Sequence, residues 1–216
     1  MSMNISMNRL IPIFVGAIAI LAFATLMLVV VPGAQIRDQA PAPGLADYTP
    51  QQLAGRQQYI NQGCVYCHSQ QPRAAGQTLA DLAKGWGRAP TAADFAFDRP
   101  HQLGTMRTGP DLLNVGARLP SRDWHLSHLY QPRAIFGWSI MPSYPYLFER
   151  KKAAAPGDVV VKLPPEFQPE GEVVVARQEA LDLAAYLVGL DRTTTEVPAD
   201  ERIRDEGYAL SKGEKR

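Results

Sequence analysis

At 216 residues the chain is long enough for one domain with additions, or for two small ones. Its net charge of +1, from 22 Lys and Arg against 21 Asp and Glu, gives no electrostatic basis for binding nucleic acid or for steering a strongly acidic partner. Two cysteines exclude a disulfide scaffold and leave one bridge, a redox pair or a cofactor anchor, while 18 prolines and 17 glycines predict much turn between elements.

Residues 10–31, LIPIFVGAIAILAFATLMLVVV, carry no charge. As a helix they run about 33 Å at about 1.5 Å per residue, enough for a hydrocarbon core of roughly 30 Å. Pro12 is expected in the first turn, where a missing N–H is harmless. The competing reading is a cleaved signal peptide, but its apolar core usually runs about 7–15 residues, and Ala34-Gln35 is a poor cleavage site. We assign residues 1–36 to a transmembrane anchor. Arg9 at one end, and Arg37 with Asp38 at the other, leave orientation undecided by the positive-inside rule. From Pro32 onward the chain is rich in Pro, Gly and Ala, and residues 37–48 read as a semi-extended linker.

Thr49-Pro50-Gln51-Gln52 has the form of a capping box with proline at the first helical position. The helix it opens carries Leu53, Gly55, Tyr59 and Ile60, and Gly63 is placed to stop it. Residues 69–108 form a long irregular insertion with room for a short helix over 78–84. Thr108-Gly109-Pro110-Asp111 marks a tight turn, and residues 121–130 a helix ended by Gln131-Pro132. Residues 140–145, IMPSYP, hold too many prolines for a helix or central strand and form a stiff loop. The β-branched runs at 158–163 and 171–176 predict a small hairpin with a long loop. Residues 178–190 place Ala180, Leu183, Ala184, Leu187 and Leu190 on one helical face. Residues 193–216 read as a charged tail, with a frayed helix around 203–210.

The two cysteines lie in Cys64-Val65-Tyr66-Cys67-His68. C-x-x-C-H reads as an attachment site for a c-type haem, with a thioether from each cysteine and His68 on the iron. The motif belongs outside the cytoplasm, so residues 37–216 are expected on the outer face, the periplasm in a bacterium with two membranes. A sixth ligand is needed, and methionine raises the potential relative to a second histidine. Met1, Met3, Met7 and Met27 lie in or beside the anchor, leaving Met106 and Met141. Met141 is favoured because the following proline fixes the direction of its loop. His101, His125 and His128 offer a bis-histidine alternative, and His125 with His128 also has the spacing of a metal pair, although hydrogen bonding within a packed surface is the simpler reading. The free carbonyl of Pro110 suits the second nitrogen of His68. Arg118 suits a haem propionate, or is an ordinary surface charge. The rival reading is a thioredoxin-like thiol oxidoreductase, but a capped helix stands before the motif where that fold has a buried strand.

The order G-R-x-x-Y-x-x-x-G-C-x-x-C-H, G-P-x-L, M-P and a helix ending A-Y-L resembles a class I cytochrome c. That resemblance implies a mainly α domain in which the first and last helices cross closely, with Gly55 and Tyr59 against Leu183 and Tyr186. Phe97-Asp98-x-Pro100, Arg107-Thr108-Gly109-Pro110-Asp111-Leu112, Trp124-His125-x-x-His128-Leu129, Pro132-Arg133 and Met141-Pro142-x-Tyr144-Pro145 resemble more closely the monohaem, FixO-type subunit of cbb-type haem–copper oxidases, which also has one N-terminal membrane helix. The insert at 69–94 and the stretch after 148 depart from that family. The resemblance implies a cytochrome domain over 49–192, with insertions at about 69–108 and 149–177, the latter holding the β-hairpin. It implies one covalent haem c on Cys64 and Cys67, axial His68 and Met141, and Pro110 supporting His68. The protein would not be catalytic itself. It would relay single electrons from a soluble or membrane cytochrome to a haem–copper oxidase subunit in a bacterial inner membrane, beside other cytochrome c subunits. The anchored cytochrome of a nitric oxide reductase and a haem-based sensor are the alternatives.

Overall fold

The computed structural model of the chain describes residues 7–37, 39–74, 77 and 80–195. Two compact units divide after Pro41. The first is helical: α1 (Met7–Thr25), a π-helical turn (Leu26–Val30) and α2 (Val31–Arg37). Within it Leu10–Gln35 is long and apolar enough to cross a membrane, with a mean hydropathy of 2.8 and none of its most apolar window buried in protein. Pro12 stands inside α1 rather than in its first turn, so one backbone carbonyl lacks its usual donor. The helix also runs through Pro32 and Gly33.

The second unit is organised by α3 (Pro50–Asn61) and α7 (Gln178–Gly189), its most extensively packed helix pair. α3 starts as its sequence dictates: Thr49 Oγ1 accepts from the Gln52 N–H at 3.2 Å, Gln52 Oε1 accepts from the Thr49 N–H at 2.8 Å, and Pro50 takes the first turn. The crossing needs Gly55. A Cβ there would stand 1.8 Å from the Asp182 carbonyl oxygen on α7. One turn further on, Tyr59 and Tyr186 meet edge to face at 5.5 Å, both fully buried. The crossing uses the residues that the cytochrome resemblance implies.

α3 is less simply amphipathic than its sequence suggests. Leu53 is half exposed, while Arg56 is buried. Asp98, in the 69–108 insertion, accounts for the buried Arg56. Its carboxylate accepts from Arg56 Nε at 3.0 Å and from the Tyr48 hydroxyl at 3.1 Å, and Arg192 lies 3.8 Å away. The insertion is therefore folded onto the helix pair through a buried ion cluster. Elsewhere it forms one helical turn, α4 (Ala80–Ala83), within the range expected for a short helix, and a 3₁₀ turn at Ala92–Phe95. Residues 42–48 and 192–195 lie against this insertion: the Ala42 N–H donates to the Ala93 carbonyl, and Thr195 Oγ1 donates to Asp94. The helix expected around 203–210 falls outside the described residues.

α5 (Val115–Arg118) and α6 (Arg122–Tyr130) complete the helical part, α6 capped by Ser121. The β structure differs from the expected hairpin in one partner. β1 (Phe148–Lys151) pairs antiparallel with β2 (Val173–Ala176), Phe148 opposite Ala176. The run at 158–163 contributes a single bridge, Val160 to Val175, on the other side of β2. The physical reason is that Pro164 and Pro165 cut that run short and Asp158 is drawn into a pair with Lys151 at 3.0 Å. β1 reads FERK and offers no β-branched signal.

Candidate functional site

Gly63 leaves α3 in the left-handed conformation, φ 68°, and turns the chain into a 3₁₀ turn at Cys64–Tyr66. The amides of Cys67 and His68 both donate to the Cys64 carbonyl, at 3.1 and 2.9 Å. This tight turn puts Cys64, Cys67 and His68 on the wall of one cavity of about 540 Å³, lined mainly by apolar and aromatic side chains.

His68 is held from behind. Its Nδ1 lies 2.8 Å from the Pro110 carbonyl oxygen. The Gly109 amide donates to the Cys67 carbonyl at 2.9 Å, and the imidazole is seated so closely on Gly109 that a Cβ there would lie 2.2 Å from its Cε1. Asp111 locks the two strands of chain together. It is wholly buried and accepts from the Ser69 hydroxyl at 2.6 Å, the Gln71 amide at 2.8 Å and the Leu113 amide at 2.9 Å. Neither Gly109 nor Asp111 is singled out by spacing or residue type, beyond their presence in the G-P-D turn.

The electrostatics favour neutral groups. Burial pushes the Cys64 thiol up to about 12 and lowers the pKa of His68 against the pull of the Pro110 carbonyl. A nucleophilic thiolate needs the opposite shift, so nothing at Cys64 supports the thiol oxidoreductase reading. Arg118 also faces the cavity. Its Nη2 donates to the Asp111 carbonyl at 2.5 Å, and its Nε is enclosed without a partner among the described residues.

Met141 lines the same cavity from the stiff loop, whose backbone is tied to α6 by Tyr144 N–H to the Leu129 carbonyl at 3.0 Å. Met106 does not line it and is 55% exposed. His125 spends Nε2 on the Leu119 carbonyl at 2.9 Å. His128 lies on the cavity wall, stacked on Trp124 at 4.8 Å, with Nδ1 enclosed and unpartnered among the described residues. Burial, with the His125 and His68 rings nearby, takes its pKa down to about 4. His101 is not a lining residue. No group of three or more metal-binding side chains occurs among the described residues.

Comparison with known protein families matches residues 4–162 to the mono-haem subunit of cytochrome c oxidase, FixO. The chain belongs to this family. The match spans the anchor, the C-x-x-C-H turn and Met141, and stops before β2 and α7. No curated protein matches the chain. As a FixO-type subunit it is a haem-carrying component of an oxidase complex, held to the membrane by its apolar N-terminal helix. The cavity suits such a group. Its volume is within the range of about 300–1,000 Å³ common to cofactor pockets, its wall bears sulfur and imidazole donors, and Arg118, with one guanidinium nitrogen bonded to the Asp111 carbonyl, adds a cation to the lining.

Proposed function

We propose that this FixO-type subunit binds one haem c covalently through Cys64 and Cys67 and passes single electrons toward the oxygen-reducing subunit of its complex. Cys64 and Cys67 would hold the haem through thioethers to its vinyl groups, an addition that releases nothing. His68 and Met141 would hold its iron. The Pro110 carbonyl keeps the proton on Nδ1, which leaves the Nε2 lone pair for iron. The guanidinium of Arg118, which lines the cavity, would pair with a propionate carboxylate. When bound, the haem would supply reversible one-electron chemistry.

The observation that carries this reading is the gathering of Cys64, Cys67, His68 and Met141 on one cavity, with His68 oriented by Pro110. The electron donor is a soluble or membrane cytochrome, and the acceptor is the catalytic haem–copper subunit, reached directly or through other cytochrome c subunits. The cytochrome domain, residues 49–192, lies on the periplasmic face of a bacterial inner membrane, behind a linker at 37–48 and ahead of a charged tail at 193–216.

The test is purification from membranes. The expected protein retains haem after denaturation and gives a sharp c-type α band in its reduced-minus-oxidised spectrum. Haem that is lost on denaturation, or a missing α band, would overturn the proposal.

A further inference from the structure

The loop before Met141 turns apolar side chains outward. Trp138 is 83% exposed, Ile140 73% and Phe136 41%, and all three stand on the rim of the cavity that Cys67 and Met141 line. The other two tryptophans are packed, Trp86 within the protein and Trp124 against His128. Neighbouring exposed apolar side chains of this size mark a contact surface.

The loop is braced. The Phe136 amide donates to the Pro132 carbonyl at 3.0 Å, the Ser139 amide to the Phe136 carbonyl at 2.8 Å, and the Met141 amide to Ser139 Oγ at 3.2 Å. Phe136 meets the rings of Trp124 and His128 edge on, at 6.5 and 6.0 Å, and Trp138 leans on Phe136 at 5.6 Å. An aromatic anchor held in this way loses little freedom when a partner buries it.

Charge narrows the choice of partner. From Ala134 to Phe148, AIFGWSIMPSYPYLF, there is no charged residue, and the bounding Arg133 and Glu149 cancel in sign. A carrier that must come and go is steered by complementary charge. A loop that enters an anionic bilayer is accompanied by clustered Lys and Arg. Neither fits this stretch, whereas permanent subunit interfaces are the more apolar class. The FixO family places the chain in a complex that supplies such a partner.

We propose that Phe136, Trp138 and Ile140 are the permanent docking surface of this chain, seated against an apolar face of the oxygen-reducing subunit at the mouth of the cavity. Electron transfer to that subunit is then direct. The assignment rests on the proposed role in an oxidase complex and is independent of which side chain is the sixth ligand.

The experiment places a photoreactive benzophenone amino acid at position 138 of the full chain, in membranes that contain the whole complex. Irradiation is expected to cross-link it to the oxygen-reducing subunit, identified by mass spectrometry. A cross-link to a cytochrome, to a second copy of this chain or to lipid, or no product, would overturn the proposal. In a second variant, Trp138→Ser is combined with Ile140→Ser. Isolated through this chain in mild detergent, it should retain about tenfold less of the oxygen-reducing subunit, the scale of one lost interface anchor, with its haem-to-protein ratio unchanged. The unsubstituted complex should hold together in about 1 M NaCl, where exposed charges are screened within about 3 Å. Equal retention by the double variant, loss of its haem, or salt dissociation of the unsubstituted complex would each overturn the docking surface. An unsubstituted chain that leaves the membrane without any oxygen-reducing subunit at low salt would instead overturn the proposed function, so the two failures are distinguishable.

Discussion

Gly109 and His68 are in van der Waals contact, closer than any side chain at position 109 would permit: an added Cβ would come within 2.2 Å of Cε1 and 2.7 Å of Nδ1 of the imidazole. The neighbouring carbonyl of Pro110 bonds the same ring. Gly109→Ala should therefore push His68 off its acceptor. We expect haem content to fall and the holoprotein to lose about 1–3 kcal/mol, the usual penalty of overpacking. Haem-to-protein ratio and thermal unfolding measure both. Gly137→Ala, where a Cβ meets nothing within 4 Å, should change neither.

The buried cluster at Asp98 makes a second prediction. Asp98→Ala leaves Arg56 and Arg192 without their carboxylate, and Tyr48 without its acceptor. Removing one partner from a buried ion pair typically destabilises by about 3–5 kcal/mol. Denaturant unfolding should show a loss of that order. Substitution at Asp123, paired with the largely exposed Lys162, should stay within about 1 kcal/mol.

Asp94 sets an acid limit. Burial alone would raise its carboxyl, but donors from Arg88, the Thr91 amide and Thr195 outweigh that and hold it below its ordinary 3.8. The folded state thus binds this proton less readily than the unfolded chain. The contribution is fully present above the unfolded value and is lost as pH falls through the lower folded value. Asp94→Asn should be less stable than the unsubstituted protein at pH 7, by about 1–3 kcal/mol. The gap should narrow below pH 3.8, as read from unfolding midpoints against pH.

The C-x-x-C-H turn, the capped helix α3 and the last helix α7 are legible in the sequence because each depends on local chemistry: a three-residue-spaced cysteine pair with its histidine, a Thr-Pro-x-Gln box, and an apolar face at helical spacing. What sequence spacing hides is pairing across distance. Arg56 is buried because Asp98 and the carbonyls of Arg99 and Pro100 reach it from the insertion. β1 has no strand signal of its own and becomes a strand only because β2 offers an edge. Gly109 and Asp111 act through contacts with residues some forty positions earlier, which no periodicity encodes.

The division after Pro41 bears on where the chain can be shortened. A chain beginning at Ala40 retains the Ala42 amide bond to Ala93 and the Tyr48 bond to Asp98. One beginning at Thr49 loses both and exposes Asp98. The longer form should remain folded with the apolar helix removed and partition to the aqueous phase. The shorter should unfold at lower denaturant, by about 1–3 kcal/mol for the lost buried bonds. Equal midpoints for the two would show that residues 42–48 contribute no stability.

The two candidate methionines differ in their surroundings. Met141 is partly buried against the core and lines the cavity, whereas Met106 stands largely in solvent and outside it. Under the proposed ligation, Met141→Ala should remove the soft sulfur ligand, leaving the iron high-spin or open to added ligands. It should also lower the reduction potential, because a thioether favours the ferrous state more than water or imidazole does. Cys64, Cys67 and His68 are untouched by this change, so haem should stay covalently attached. Met106→Ala should leave spectrum and potential as they are. The reverse pattern, with Met106 decisive and Met141 silent, would require the 105–107 segment to leave its present position, where Arg107 bonds Asp81 at 2.5 Å and the Gln71 carbonyl at 2.6 Å. Optical spectra and a potentiometric titration of the two variants decide between them.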